Sequence, residues 1–163
     1  MSMRTESDLV VPATLARRYD GSDPAREPGE TCLVIAPGAD GWPRPALLSA
    51  GEILVVDGGR VVMLMLHAGG RTAAALEASG RGLLVADADG GLVRVRLALR
   101  RVHDAAAERM SRMVLRGEVA DVERDEVGYA RVTHGIGYEL ADPAPVLERW
   151  SGQLDVLRTA AER

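Results

Sequence analysis

The residues with the most chemical potential run Leu66-His67-Ala68-Gly69-Gly70-Arg71-Thr72-Ala73-Ala74-Ala75-Leu76 and close at Ser79-Gly80-Arg81. A strand ends, two glycines let the backbone turn, and Arg71-Thr72 open a short Ala-rich helix that Gly80 can stop in a left-handed conformation. A helix N-terminus offers unpaired N–H groups and a partial positive charge. Arg71 adds a bidentate guanidinium fork and Thr72 a hydroxyl, so the segment suits a phosphate monoester dianion. The same spacing also describes a capped helix with a solvated arginine, and spacing by itself leaves both readings open.

Composition narrows what else the chain can do. All 20 basic residues are arginine, and lysine, asparagine and phenylalanine are absent. Without lysine there is no Schiff base, no pyridoxal phosphate aldimine and no GxxxxGK phosphate loop. Any anion must be read by arginine, hydroxyls and backbone N–H groups. A net charge of −4 and a pI near 5.4 argue against nonspecific nucleic-acid binding, which needs a positive footprint. Cys32 is the single cysteine, which excludes an internal disulfide and a cysteine-built zinc site. No apolar run approaches the ~18 residues of a membrane span, and no basic segment followed by an apolar one marks a secretory signal, so a cytoplasmic protein is expected.

The weaker constellations are quickly weighed. His67, His103 and His134 lie 36 and 31 positions apart, without a second ligand at metal spacing. Asp87 and Asp89 flank a turn, where carboxylates routinely accept backbone hydrogen bonds. Gly135-Ile136-Gly137 lacks the third glycine and the strand-to-helix setting of a dinucleotide fingerprint.

The elements that must position the glycine-arginine turn are mostly strands. A chain of 163 residues fits a single core. Residues 1–29 are expected to form an amino-terminal arm with a short helix over Pro12–Arg18 that turns Leu15 inward, and residues 30–163 a barrel domain. Strands are predicted over Thr31–Ala36, Pro45–Ser49, Ile53–Asp57, Arg60–His67, Gly82–Asp87 and Leu92–Val102, with hairpin turns at Asp57-Gly58-Gly59 and Asp89-Gly90-Gly91. Val93, Val95, Leu97 and Leu99 alternate with Arg94, Arg96, Ala98 and Arg100, so one face is core. The arginine row is expected to be solvated.

After the strands, Asp104 is expected to cap a helix running to about Arg116, with Met110, Met113 and Val114 inward and Gly117 ending it. Two further strands, Glu118–Arg124 and Arg131–Leu140, should follow. Asp142-Pro143 then opens a last helix in which Val146, Leu147, Trp150, Leu154 and Leu157 share a face, with Trp150 buried; Trp42, in a Gly-Trp-Pro loop, should be exposed. The expected architecture is a mainly β, α+β barrel of six to eight antiparallel strands covered by about three helices.

Taken in order, Gly41-Trp42-Pro43-Arg44-Pro45-Ala46-Leu47-Leu48-Ser49, the hairpin at Asp57-Gly58, Gly70-Arg71-Thr72 through Leu76, and Arg81-Gly82-Leu83-Leu84-Val85 resemble the pyridoxamine 5′-phosphate oxidase-like family of FMN-binding split barrels. The likeness covers about Glu30 to Val102. Gly135-Ile136-Gly137-Tyr138-Glu139-Leu140 and the helix with Trp150 also look like the ending of bacterial members. The resemblance implies a split barrel, a homodimer, and an FMN in each of two clefts between subunits. It puts Arg71 and Thr72, with Gly70 at the turn, on the phosphate, and His67 close by. It sets the strand through Leu47, Leu48 and Ser49 against the ring edge, where backbone groups, and the Ser49 hydroxyl as a further option, meet alternating donors and acceptors.

The chain departs from the pattern where Gly70 precedes Arg71, where Thr72 replaces a lysine and where Ala75 replaces an asparagine. It also ends Arg158-Thr159-Ala160-Ala161-Glu162-Arg163, without the basic substrate-reading ending of the true oxidases, so that activity is not expected. Two functions follow from the resemblance: a flavin-dependent oxidoreductase acting on a small molecule, or a dimer that is cofactor-free or takes a deazaflavin or haem. No residue is assigned as a catalytic acid or base, and no metal site is expected.

Overall fold

The computed structural model describes residues 9–25 and 30–163. Helix α1 is Ala13–Arg18; the strands are β1 Cys32–Pro37, β2 Pro43–Leu48, β3 Ile53–Val56 and β4 Val61–His67. Helix α2 (Arg71–Ser79) leads into β5 Arg81–Ala88 and β6 Gly91–Val102. Helix α3 (Ala105–Arg109), β7 Arg112–Asp125 and helix α4 (Pro143–Ala161) complete the chain. All seven strands join one curled antiparallel sheet in the order β2-β1-β5-β6-β7-β4-β3, a split-barrel α+β fold.

Period-2 alternation builds the barrel interior. Val34, Leu84, Val93, Val95 and Leu97 point inward, where α1 adds Leu15 and Tyr19 and α2 adds Ala73 and Leu76. The segment expected to be an arm thus contributes two side chains at most 1% exposed. The turns form as expected. Asp89 and Gly90 both take positive φ in the β5–β6 hairpin, and Asp57-Gly58-Gly59 form a one-turn 3-10 connection between β3 and β4.

Two expectations are corrected. The helix predicted from Asp104 to about Arg116 stops at Arg109, and Met113, Val114 and Gly117 belong to β7. Asp104 does cap α3, accepting from the N–H groups of Ala106 and Ala107 at 2.9 and 3.0 Å. Ser111, at φ 56, then breaks the helix. Met113 and Leu115 face the interior while Val114 faces the other side, so this stretch of β7 is apolar on both faces and shows no strand alternation. Gly117 ends nothing. It sits mid-strand, where a Cβ would come within 2.9 Å of Leu99 and 3.2 Å of Leu97.

The strand predicted over Arg131–Leu140 does not form. That segment wraps the sheet irregularly, tied by Val132 N–H to Gly90 O (2.8 Å), Thr31 Oγ1 to Ile136 O (2.7 Å) and a single bridge between Glu30 and Gly137. Its glycines, and its anchors outside any ladder, make it a strap. Helix α4 forms as expected, with Pro143 in its first turn and Trp150, Leu154 and Leu157 buried. It covers the outer face of β3, β4 and β7, packing on Leu54, Met63, Met65 and Val114. No helix among the described residues is long and apolar enough to cross a membrane.

Candidate functional site

Strand β4 ends at His67, and the Gly70 N–H closes the following turn on the His67 carbonyl at 2.9 Å. A Cβ at Gly70 would lie 3.1 Å from that same carbonyl, which favours glycine here. Helix α2 then begins with no side-chain cap, leaving its first N–H groups directed outward. Gly80, at φ 62, closes it as a left-handed cap. The Arg71 side chain is exposed and makes no ion pair or hydrogen bond among the described residues. An uncapped N-terminus beside an unpaired guanidinium has the donor set that an anion needs.

Thr72 Oγ1 donates to the Pro45 carbonyl at 3.2 Å, tying the start of α2 to β2. Strand β2 is an edge strand with β1 as its one neighbour. Proline at an edge turns its missing N–H to the open side, and residues two apart on an antiparallel strand direct their peptide groups alike. The N–H and C=O of Leu47 therefore face the open edge, and its side chain is 51% exposed. Leu48 points its side chain into the core and turns its backbone to Cys32 of β1, so, against expectation, neither faces the open edge.

Ser49 lies just past β2, and its hydroxyl is already engaged. Its N–H and Oγ both donate to Glu52 Oε2 at 2.9 Å, and Glu52 N–H returns to the Ser49 carbonyl at 2.9 Å. Glu52 Oε1 faces Arg112 at 3.8 Å, and Arg112 is the cross-strand neighbour of His67. His67 is exposed, its Nδ1 accepting from the Gly69 N–H at 3.2 Å, which commits one ring nitrogen to the turn. The expected residues thus fall at one end of the sheet: Gly70, Arg71 and Thr72 on α2, Leu47 and Leu48 on the edge, His67 and Ser49 flanking.

Glu52 and Tyr138 join this end without having been singled out. The Ser-x-x-Glu spacing of a capping box, Ser49 to Glu52, is the signal that could have found Glu52. Tyr138 had no such signal, because it comes from the strap: its ring stands edge-on to Trp150 at 6.4 Å, and its hydroxyl is buried without a hydrogen-bond partner among the described residues. Burial, with the Glu52 carboxylate adding to it, pushes the Tyr138 phenol up to about 12.

The remaining titratable groups are structural. Burial draws the Arg18 guanidinium down, but the carboxylates of Glu30 (2.8 Å) and Asp87 (3.4 Å) outweigh it and leave it raised. The Thr14 hydroxyl at 2.6 Å, with Arg124, holds the Asp89 carboxyl below its ordinary value. Arg94 and Arg96 lie on the solvated face as expected, and there they pair with Asp121, Glu123 and Asp125 of β7.

The outer face beyond β2 is different. The register sets Leu47, Leu33, Val85 and Arg94 in one row and Pro45, Ile35, Leu83 and Arg96 in the next. Beside them runs an apolar groove of about 580 Å³ lined by Ile35, Pro37, Pro43, Leu83, Ala98 and Ala120, with Arg81 and Arg96 at its margin. No helix covers these rows among the described residues, and Trp42 on the β1–β2 turn is 75% exposed.

Comparison with known proteins agrees with this architecture. No family model matches the chain. YclD of Bacillus subtilis strain 168, itself uncharacterised, is 30% identical over 142 residues, covering 85% of this chain and 90% of YclD. A candidate pyridoxamine 5′-phosphate oxidase of Lactobacillus delbrueckii superposes with a TM-score of 0.55 at 15% identity, over 74% of this chain and 98% of that one. An FMN-binding protein of Syntrophomonas wolfei superposes with a TM-score of 0.50 at 11% identity, over 69% of this chain and 87% of that one. The chain belongs to the family of YclD, and its fold is that of the pyridoxamine 5′-phosphate oxidase-like, FMN-binding split barrels.

Proposed function

We propose that this chain is a cytoplasmic FMN-binding protein that works as a homodimer and carries out flavin-dependent oxidoreduction of a small molecule. The observation that carries the reading is the Thr72–Pro45 hydrogen bond, which sets the uncapped start of α2 and the unpaired Arg71 against the open edge of β2. A phosphate-binding end and a backbone edge for a planar ring are thereby joined in one place. Arg71 and the first N–H groups of α2, that of Thr72 among them, would hold the phosphate, while the Thr72 hydroxyl keeps donating to the Pro45 carbonyl. The outward N–H and C=O of Leu47 would meet the ring edge.

Bound flavin supplies the hydride chemistry. The chain's own part is to bind, to orient and to exclude water, and the apolar rows beside β2 suit the last of these once a second subunit lies over them. A second reading, a barrel that takes no flavin or takes a deazaflavin or haem, draws on one observation: the Ser49 hydroxyl is held by Glu52 and so is not free for a ligand. The visible absorption spectrum of the purified protein, before and after incubation with excess FMN and dialysis, separates the two. A retained flavin band supports the first reading; a flat spectrum with no uptake overturns it.

A further inference from the structure

We infer that Glu52 is the positioning residue for the ring-reading edge: its carboxylate holds the end of β2 and so fixes how Leu47 presents its backbone to a planar heterocycle. This rests on the flavin reading above and adds to it the residue that sets the geometry.

The carboxylate accepts two hydrogen bonds from one residue, the N–H and the Oγ–H of Ser49, both at 2.9 Å. Bonds to an ionised acceptor are the strong kind, and here they fix the residue where an edge strand with a single neighbour would otherwise fray. Glu52 is itself fixed from the other side, since its carbonyl accepts from Met65 N–H of β4 at 2.8 Å and its Oε1 faces Arg112 of β7. The side chain keeps only 19% of its surface. Over it lie Trp150, whose ring occupies the space a Cβ on Gly51 would need, and Tyr138, edge-on to that ring. Glu52 therefore links β2 to β4 and β7, while its neighbour Gly51 seats Trp150 of α4. It also takes the Ser49 hydroxyl out of use as a ligand donor and leaves recognition to the backbone of the edge.

Titrating the full-length protein with riboflavin and with FMN tests this, because riboflavin has the ring and no phosphate. Glu52→Ala should weaken both ligands by the same factor, about tenfold, and shift the absorption bands of bound flavin. Arg71→Ala should weaken FMN and leave riboflavin unchanged. Glu52→Gln keeps an acceptor for Ser49 and should recover most of the affinity; Ser49→Ala, which keeps the N–H, should lose about threefold. These two carry the test if Glu52→Ala does not fold. A wild-type protein that binds FMN while the Glu52 variants bind both ligands as it does would overturn the inference and leave the flavin reading standing. A wild-type protein that takes up neither ligand overturns both.

Discussion

On β3, β4 and β7 the outward side chains Leu54, Met63, Met65 and Val114 lie under α4; on β2, β1 and β5 the outward Leu47, Leu33, Ile35, Leu83 and Val85 lie under no element of the described chain. These are two halves of one face of one sheet, built from the same residue types. The difference is the cover. One half is closed by a 19-residue helix brought back by the strap. The other half adjoins the edge and helix start where the candidate ligand groups meet, and its apolar rows are suited to a second copy. A barrel that closed both halves with its own helices would leave no cleft between subunits for a ring to enter.

The covered half should show the largest effect. Trp150→Ala empties the seat over Gly51 and should cost about 3–5 kcal/mol, read from urea unfolding with an unchanged slope. Gly51→Ala should also destabilise, by driving a methyl group into the indole. Combining the two should cost less than their sum, because the methyl then enters vacated space. Strict additivity would mean that Trp150 does not pack as described. The open half should respond in the opposite way. Ile35→Glu should leave the subunit folded by circular dichroism yet weaken self-association by about 2 kcal/mol or more, roughly thirtyfold, halving the molar mass seen by light scattering at micromolar concentration. A monomeric wild type would break the comparison at its root.

How much of this the sequence disclosed depends on whether a residue's neighbours lie nearby in the chain. The glycine-arginine turn, the stop at Gly80 and the inward row of β6 were legible because each is a local pattern: a left-handed cap, or a period of two with one solvated face. Met113–Leu115 misled because α4, some forty residues on, buries the face that should have been polar. The strap at 127–141 misled for the complementary reason: its anchors are single hydrogen bonds to Gly90 and Thr31, which leave no periodicity to read. At the site, Gly70, Arg71 and Thr72 are consecutive and need no tertiary structure to meet, whereas the meeting of Ser49 with Glu52, and of Glu52 with Tyr138, was settled by tertiary packing.

Within the candidate site the expected effect is intermediate. Arg71→Ala should lower FMN affinity by about 1.5–3 kcal/mol, measured by fluorescence titration, while the urea midpoint stays put because the guanidinium holds nothing among the described residues. A falling midpoint would assign Arg71 to the fold rather than to a ligand.

A last effect, confined to alkaline pH, comes from the barrel interior, which neither half of the outer face shares. Cys32 is fully buried against Tyr19, and burial pushes its thiol from about 9 up to about 12. The folded chain therefore keeps the proton where the unfolded chain has lost it. The stability this gives is complete below the unfolded value near 9 and is lost as pH climbs toward 12, so the urea midpoint should decline across that window. Cys32→Ser, with a hydroxyl that does not ionise there, should flatten that part of the decline. At pH 8 a disulfide reagent such as Ellman's should leave the folded protein unmodified and react with one thiol once urea opens the barrel. Prompt labelling without denaturant would mean that the interior opens far more readily than α1 and α2, packed as they are, allow.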